Sequence, residues 1–596
     1  MATSESLLLM ESKDRAKLLD VALGKSKADL TVVNAKLLNV YTGEILENHA
    51  ISIWNKWIAY VGKDARHTIG HKTTVIDAQG KTVIPGFIDG HTHIAWLSTA
   101  QEFLKYAMKG GTTTIITETL EPFPVCGYEG VLDFLDSLKN QPIKILATAP
   151  AMVSISHTAI GMPKETLKKL FERDDIIGLG ESYWQAVLQQ PDMFLPLFRE
   201  TLLSGKTLEG HSAGAGEEKL MAYISTGISS CHESIKSDEA LSRLRLGLHV
   251  MIREGSIRRE LEEISTIKDS GADLRRLVLV TDGIEPGELM ENGYMEFVVQ
   301  KAIDYGFDPV TAIQMATLNV AEHFSLDNII GGIAPGKYAD MSIIPEVRDI
   351  EAQYVISNGQ IIAHDGKLLV SPRPHIFSED SLKSIRLSRE IKSEDFAIWV
   401  GVDSPEVRAR IIEMVSDLVT GELHMDLPVV DGQIRADTNH DILKVAAIDR
   451  THNPGKTFVG LVKGFCMISG AIACSAAWDT TDIIVVGASD SDMAAAVNRI
   501  HVLQGGAVVC DRGEIIAELA LPVFGIMSEL PVERLAQKIK EIKDAVSGIG
   551  VTFSDPLLTL ITLTGAAIPY LRICEEGLVN LKDGKTVGNL VHSPSG

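Results

Sequence analysis

Residues 83–94 read VIPGFIDGHTHI, an apolar run that closes on His-Thr-His. In an extended strand, residues two apart point to the same side. His91 and His93 can therefore face one axis together, with Asp89 two residues earlier on the same side. A lone HxH pair is common on protein surfaces, but one that ends a buried-looking strand is a strong metal-ligand signal. The texture recurs downstream in TTTIITET (112–119), IKILATAP (143–150), IIGLGES (176–182), TLEGHSA (207–213), ISSCHES (228–234), LHVMIREGS (248–256) and LVLVTDG (277–283). Between them lie helical patterns such as VLDFLDSLKN, KETLKKLFERDD and DEALSRLRLG. Eight apolar strands alternating with helices predict an α/β fold, a closed parallel (β/α)8 barrel over 85–330.

Catalytic groups of such barrels sit at the C-terminal ends of the strands. Those ends supply His91 and His93, then Glu118 or Glu121, Glu181, His211, His232 and Asp282. Four histidines and several carboxylates converging on one mouth describe a metal site, since imidazole and carboxylate suit Zn, Mn or Fe. Such a metal brings the ionisation of water toward neutrality. Asp282 would take a proton from that water and deliver it to a leaving group. His232 or His211 would hold a second metal or polarise the substrate, and Glu181 would bridge two ions if two bind. The expected reaction is hydrolytic attack at a C–N centre: an amide, a cyclic amide or an amino-substituted ring. His49, His67, His71 and His323 lie outside this pattern and are expected to be solvated.

The rest of the chain frames the barrel. Residues 1–27 read as a leading helix that ends near Gly24. Residues 28–84 form short β-branched strands, and the pattern returns at 331–375 with hairpin turns at Asn358-Gly359 and Asp365-Gly366. The two flanks predict one composite β-domain. After a proline-containing stretch near 371–380, residues 385–596 mix strands (DIIVVGAS, GAVVCDRGEIIAEL) with helices (SDMAAAVNRIHVLQ, VERLAQKIKEIKDAV) as a separate α+β domain. A net charge of −23 disfavours nucleic acid and anionic lipid as partners. No run of 18 or more apolar residues is present, and the acidic N-terminus does not resemble a secretory signal. Six scattered cysteines without a CxxC pair fit a reducing cytoplasm.

PGFIDGHTHI, EGHSA, CHES and VTDG together resemble the amidohydrolase superfamily, as does ATLNVAEHFSLDNIIGGIAPGKYADMSII (316–344). More narrowly, LLDVALGKSKADLTVVNAKLLNVYTGEI (18–45), DIIVVGASDSDMAAAVNRIHVLQGGAVV (482–509) and LPVFGIMSELPVERLA (521–536) resemble the bacterial-type adenine deaminase family. The resemblance covers nearly the whole chain. It implies hydrolysis of adenine to hypoxanthine and ammonia, a purine-salvage reaction, with one or two divalent ions, manganese first and iron or zinc as alternatives. It also implies that His91, His93, Glu181, His211 and His232 bind metal, and that Asp282 is the catalytic aspartate. Glu121, Glu233 and Asp479 are the candidate substrate contacts, and homo-oligomerisation stays open.

The chain departs from the family in three places. HxHIESS reads on as Ile94-Ala95-Trp96 here, DPHE becomes Glu118-Thr119-Leu120-Glu121, and HDSHN becomes Trp478-Asp479-Thr480-Thr481-Asp482. Each change removes a polar group that could touch metal or substrate, while the core ligand set stays. Two further readings therefore stand beside adenine: a related hydrolase of another aminated or cyclic nitrogen heterocycle, and a catalytically inactive binding relic.

Overall fold

The computed structural model describes residues 7, 9–151, 154–157, 161–401 and 404–591. The part of the leading segment before residue 7, and residue 8, lie outside the described residues. Its helix runs Ser12–Ala22, and the chain turns away at Gly24 in the left-handed region (φ +75°).

The two β-rich flanks meet in a single nine-stranded sheet. Thr82–Pro85, from the first flank, pairs antiparallel with Met341–Ile344, from the second, through Val83↔Ile343 and Pro85↔Met341. Asn358 and Gly359 both take positive φ (50° and 73°) and join Tyr354–Ser357 to Gln360–His364, the geometry of a tight primed turn. Because Thr82–Pro85 is pinned in this sheet, the chain enters Phe87–Thr92, the first barrel strand, from a fixed direction.

The barrel strands are Phe87–Thr92, Thr112–Thr117, Lys144–Ala149, Ile176–Tyr183, Thr207–His211, Ser230–Cys231, His249–Arg253 and Leu277–Val280. They form a five-stranded and a three-stranded parallel sheet, so the closed ladder expected from the sequence is interrupted at two seams. Side chains explain both seams, because they capture backbone donors there. Between strands five and six, the N–H of Gly210 donates to the Ser230 hydroxyl (3.4 Å), although Ser229 N–H still reaches Leu208 C=O (3.0 Å). Between strands eight and one, buried Asp89 accepts from the backbone of His91 (3.2 Å) and Thr281 (3.3 Å) and from Thr281 Oγ1 (2.6 Å) and Tyr294 OH (2.5 Å). Asp89 is thus a strut for the seam, and only Asp282 N–H to His91 C=O (3.0 Å) bridges the backbones directly.

Most of these strands are buried on both faces, as parallel strands under helices must be. Ile88, Ile116, Leu146, Ile177, Met251 and Val278 belong to one apolar cluster that also takes in Leu18 and Val21 of the leading helix and Trp57 of the β-domain. Spacing by two then carries Ile116 to Glu118, Met251 to Arg253, and Val278 through Val280 to Asp282. The apolar end of the barrel therefore gives way to charge at its C-terminal mouth.

The C-terminal region holds an eight-stranded sheet of mixed direction, with Ile442–Asp449 and Asp482–Gly487 near its centre. Helix Asp490–Leu503 covers that sheet through Met493, Ala496, Val497 and Ile500. Arg450, fully buried, ties the region together by donating to Ser384 Oγ (2.8 Å) and to the carbonyls of Ser475 (3.2 Å) and Phe524 (2.9 Å). All six cysteines are unpaired. Among the described residues, no helix is long and apolar enough to cross a membrane.

Candidate metal centre

The mouth of the barrel gathers every ligand expected from the sequence, and each is at most 7% exposed. His91 Nε2 lies 3.2 Å from both Glu181 Oε1 and Asp282 Oδ1. His93 Nε2 lies 3.4 Å from the same two oxygens, and His232 Nε2 is 3.2 Å from Glu181 Oε1. Glu181 therefore stands among three imidazoles. His91 and His232 stack with ring centroids 4.2 Å apart. His211 Nε2 faces Glu233 Oε1 at 3.1 Å, and His232 Nε2 reaches that oxygen at 3.3 Å. Two groups of candidate ligand atoms result, each with its atoms within 4.8 Å of one another: His91, Glu181, His232 and Asp282, and His211, His232 and Glu233. His232 belongs to both.

The far nitrogens of the HxH pair each have a carboxylate. His93 Nδ1 is 2.5 Å from Glu121 Oε1, and His91 Nδ1 is 3.5 Å from Glu118 Oε1. Both acids left open by the sequence are thus in place, one per histidine. A carboxylate on one ring nitrogen fixes the tautomer and aims the other nitrogen at a metal. Electrostatics agree with that division. Burial alone would raise the Asp282 carboxyl, but the adjacent His91 and His93 imidazoles and the nearby Arg253 charge hold it well below the usual carboxylate range. Glu181 is likewise driven low against its burial by its three imidazole partners.

The donor set fits a divalent cation. The buried His91 Nε2 has no protein hydrogen-bond partner among the described residues, and it points into a nest of carboxylate oxygens. Such an arrangement is costly without a positive charge between the acids.

Two features of the site were not picked out from the sequence, and one histidine outside it was misjudged. Arg253, at the end of the seventh strand, donates to Asp282 Oδ2 (3.2 Å), to Glu260 (3.0 and 3.1 Å) and to Glu233. Its place at a strand end was the available signal. Tyr183, two residues past Glu181, donates to Asp479 Oδ1 (3.2 Å). His323, expected to be solvated, is instead buried and paired with Glu209 Oε2 (2.8 Å), because it ends a short helix (Leu318–His323) that packs on the first and eighth strands.

The C-terminal region closes over the mouth. Trp478 and Asp479 line the same pocket as His93, Glu181, His211, His232, Glu233 and Asp282. Asp479 is buried in the left-handed region (φ 62°) and also accepts from Ala566 N–H (2.8 Å). Burial lifts its carboxyl to about 7. Of the departures from the family pattern, Ala95, Leu120 and Trp478 line one adjoining cavity. Thr481 turns instead into the sheet, where its hydroxyl donates to Asp449 (2.9 Å).

Residues 82–368 match the amidohydrolase family, and residues 417–585 match the adenine deaminase C-terminal domain. An adenine deaminase of Clostridium botulinum (strain Langeland / NCTC 10281 / Type F) is 34% identical over 569 residues, covering 94% of this chain and 95% of that protein. The chain belongs to the adenine deaminase family. Two further family members bear out how far the likeness extends. The adenine deaminase of Moorella thermoacetica is 34% identical over 580 residues, and that of Staphylothermus marinus is 35% identical over 588, each covering 96% of this chain and 97% of the relative. The family's catalytic barrel and C-terminal domain are both represented in the pocket just described.

Proposed function

We propose that this protein hydrolyses adenine to hypoxanthine and ammonia, a purine-salvage reaction in the cytoplasm. The observation that carries the reading is the buried cluster of His91, Glu181, His232 and Asp282 beneath a cover supplied by Trp478 and Asp479. His91, His93, Glu181, His211, His232 and Asp282 would hold one or two divalent ions, manganese first, with iron or zinc as alternatives. When bound, such a cation supplies Lewis acidity that makes water acidic enough to attack near neutral pH.

The chain's own residues divide the remaining work. Asp282, held ionised, accepts the proton of the attacking water and passes it to the exocyclic amine as the C–O bond forms and the C–N bond breaks. His232 belongs to both groups of candidate ligand atoms and would polarise the ring being attacked. Glu118 and Glu121 hold His91 and His93 in orientation. Glu233 and Asp479, which both line the pocket, would read the edges of the heterocycle. The apolar wall formed by Ala95, Leu120 and Trp478 favours a second reading, a sibling hydrolase acting on a different aminated heterocycle.

Ammonia release from adenine by Mn(II)-loaded protein, beside an Asp282→Asn control, tests the reading. Turnover that falls by at least about a thousandfold in the control supports it. A folded, metal-bearing protein that leaves adenine untouched but deaminates other ring amines would hand the case to the sibling hydrolase.

A further inference from the structure

Beside the metal pocket lies a second, smaller cavity of about 20 Å³. The two share Trp478 and Asp479 as a common wall. Its floor is apolar, with Ala95, Leu120, Ala476 and Ile526 among its lining. Asp479 and Thr480 also line it, with their side-chain oxygens already hydrogen-bonded, and two further polar atoms are unpaired. Trp96 is 93% buried (7% exposed), and its Nε1–H has no protein partner among the described residues. Glu121 uses Oε1 for His93 but leaves Oε2 buried and unpaired. Leaving such groups unmatched costs about 1–3 kcal/mol each. The cavity thus offers one unpaired donor and one unpaired acceptor in a space that holds one water-sized molecule, two at most. It also sits close to the chemistry: Glu121 touches His93, and the Trp96 ring would come within 3.3 Å of a β-carbon at Gly283, the residue after Asp282.

Resting on the deaminase reading above, we infer that this cavity is a subsite for the departing amine: ammonia, or a primary amine no larger than methylamine. A neutral amine matches both polar atoms. Its lone pair accepts from Trp96 Nε1–H, and one of its N–H groups donates to Glu121 Oε2. Water adds to the ring carbon, the C–N bond breaks, and the amine leaves with the proton delivered by Asp282, so no further reactant is needed. The apolar floor admits the methyl of methylamine and excludes bulkier amines.

The test uses the full-length protein with methylamine as probe, in alkaline buffer where part of the amine is neutral, loaded with diamagnetic Zn(II) for the spectra and with Mn(II) for turnover. The indole N–H resonance of Trp96, assigned by its loss in Trp96→Phe, should shift on titration with methylamine and not with tert-butylamine. Methylamine should also inhibit adenine turnover. Its inhibition constant should rise roughly fivefold in Trp96→Phe, the value of one hydrogen bond, and roughly tenfold in Ala95→Leu, which fills the cavity. If Ala95→Leu does not fold, Trp96→Phe, which keeps an aromatic ring there, decides. An unshifted indole resonance, or an inhibition constant unchanged in the folded variants, would overturn the subsite even if adenine is deaminated. A shifted resonance in a protein that leaves adenine intact would keep the subsite and sink the deaminase reading.

Discussion

Replacing Arg253 with Met should destabilise the barrel more than any other single change at the mouth that leaves the apolar packing intact. Arg253 is 4% exposed and serves Glu233, Glu260 and Asp282 at once. Methionine matches the length of its stem but brings no charge, so three buried carboxylates lose their common cation. Removing one partner of a buried ion pair costs about 3–5 kcal/mol. The lower figure applies here, because Glu260 can escape by taking up a proton. Burial, reinforced by Glu233, already lifts Glu260 to about 7 in spite of Arg253. A carboxyl raised above its ordinary value costs nothing below about pH 4.5 and costs progressively more as pH rises to its folded value. The loss should therefore be about 3 kcal/mol at pH 7, smaller at pH 5 and larger at pH 8. Guanidinium unfolding followed by tryptophan fluorescence, at the transition that contains the barrel, measures it. Arg253→Met with Glu260→Gln should recover part of the loss, since one orphaned charge goes with the second change. A loss under about 1 kcal/mol at pH 7, or no recovery in the double variant, would show that the three acids do not depend on this cation.

Three further outcomes follow from the same structure. Glu296 packs its carboxyl against Gly110 with Oε2 shut off from solvent, and burial raises it to about 7; Glu296→Gln should stabilise the protein by up to about 3 kcal/mol at pH 8 and by almost nothing at pH 4, read from melting at the two pH values. Chelation should lower adenine turnover at least about a hundredfold, and Mn(II) should restore it, with bound metal counted by elemental analysis alongside the rate. Glu121→Gln and Glu118→Gln should each weaken metal affinity about 10–100-fold by loosening the orientation of His93 and His91, measured by dialysis against buffered Mn(II); unchanged affinity in both would mean the imidazoles are held by packing alone.

The candidate ligand set was legible in the sequence because strand geometry is local. His91, Glu181, His211 and Asp282 each end an apolar run, and a two-residue period is enough to place them at one mouth without knowing any long-range contact. Arg253 obeys the same rule, and it escaped notice because a strand-end arginine suggests a surface cation until its three acid partners are seen to be buried. The interruptions of the barrel ladder were not legible, since they depend on a side chain replacing a backbone acceptor. Asp89 looked like part of the metal motif by its spacing from His91, but its carboxylate is consumed by the seam to Thr281 and Tyr294, residues about two hundred positions away. His323 failed for a related reason: no local pattern announces that a helix end will pack against Glu209. The departures at Ala95, Leu120 and Trp478 are the instructive case, because the sequence shows three separate losses of polarity in three distant segments. Only the fold brings them to one cavity, where Trp96 Nε1 and Glu121 Oε2 stand as unpaired polar atoms, and a set of unrelated substitutions becomes a candidate site with its own chemistry.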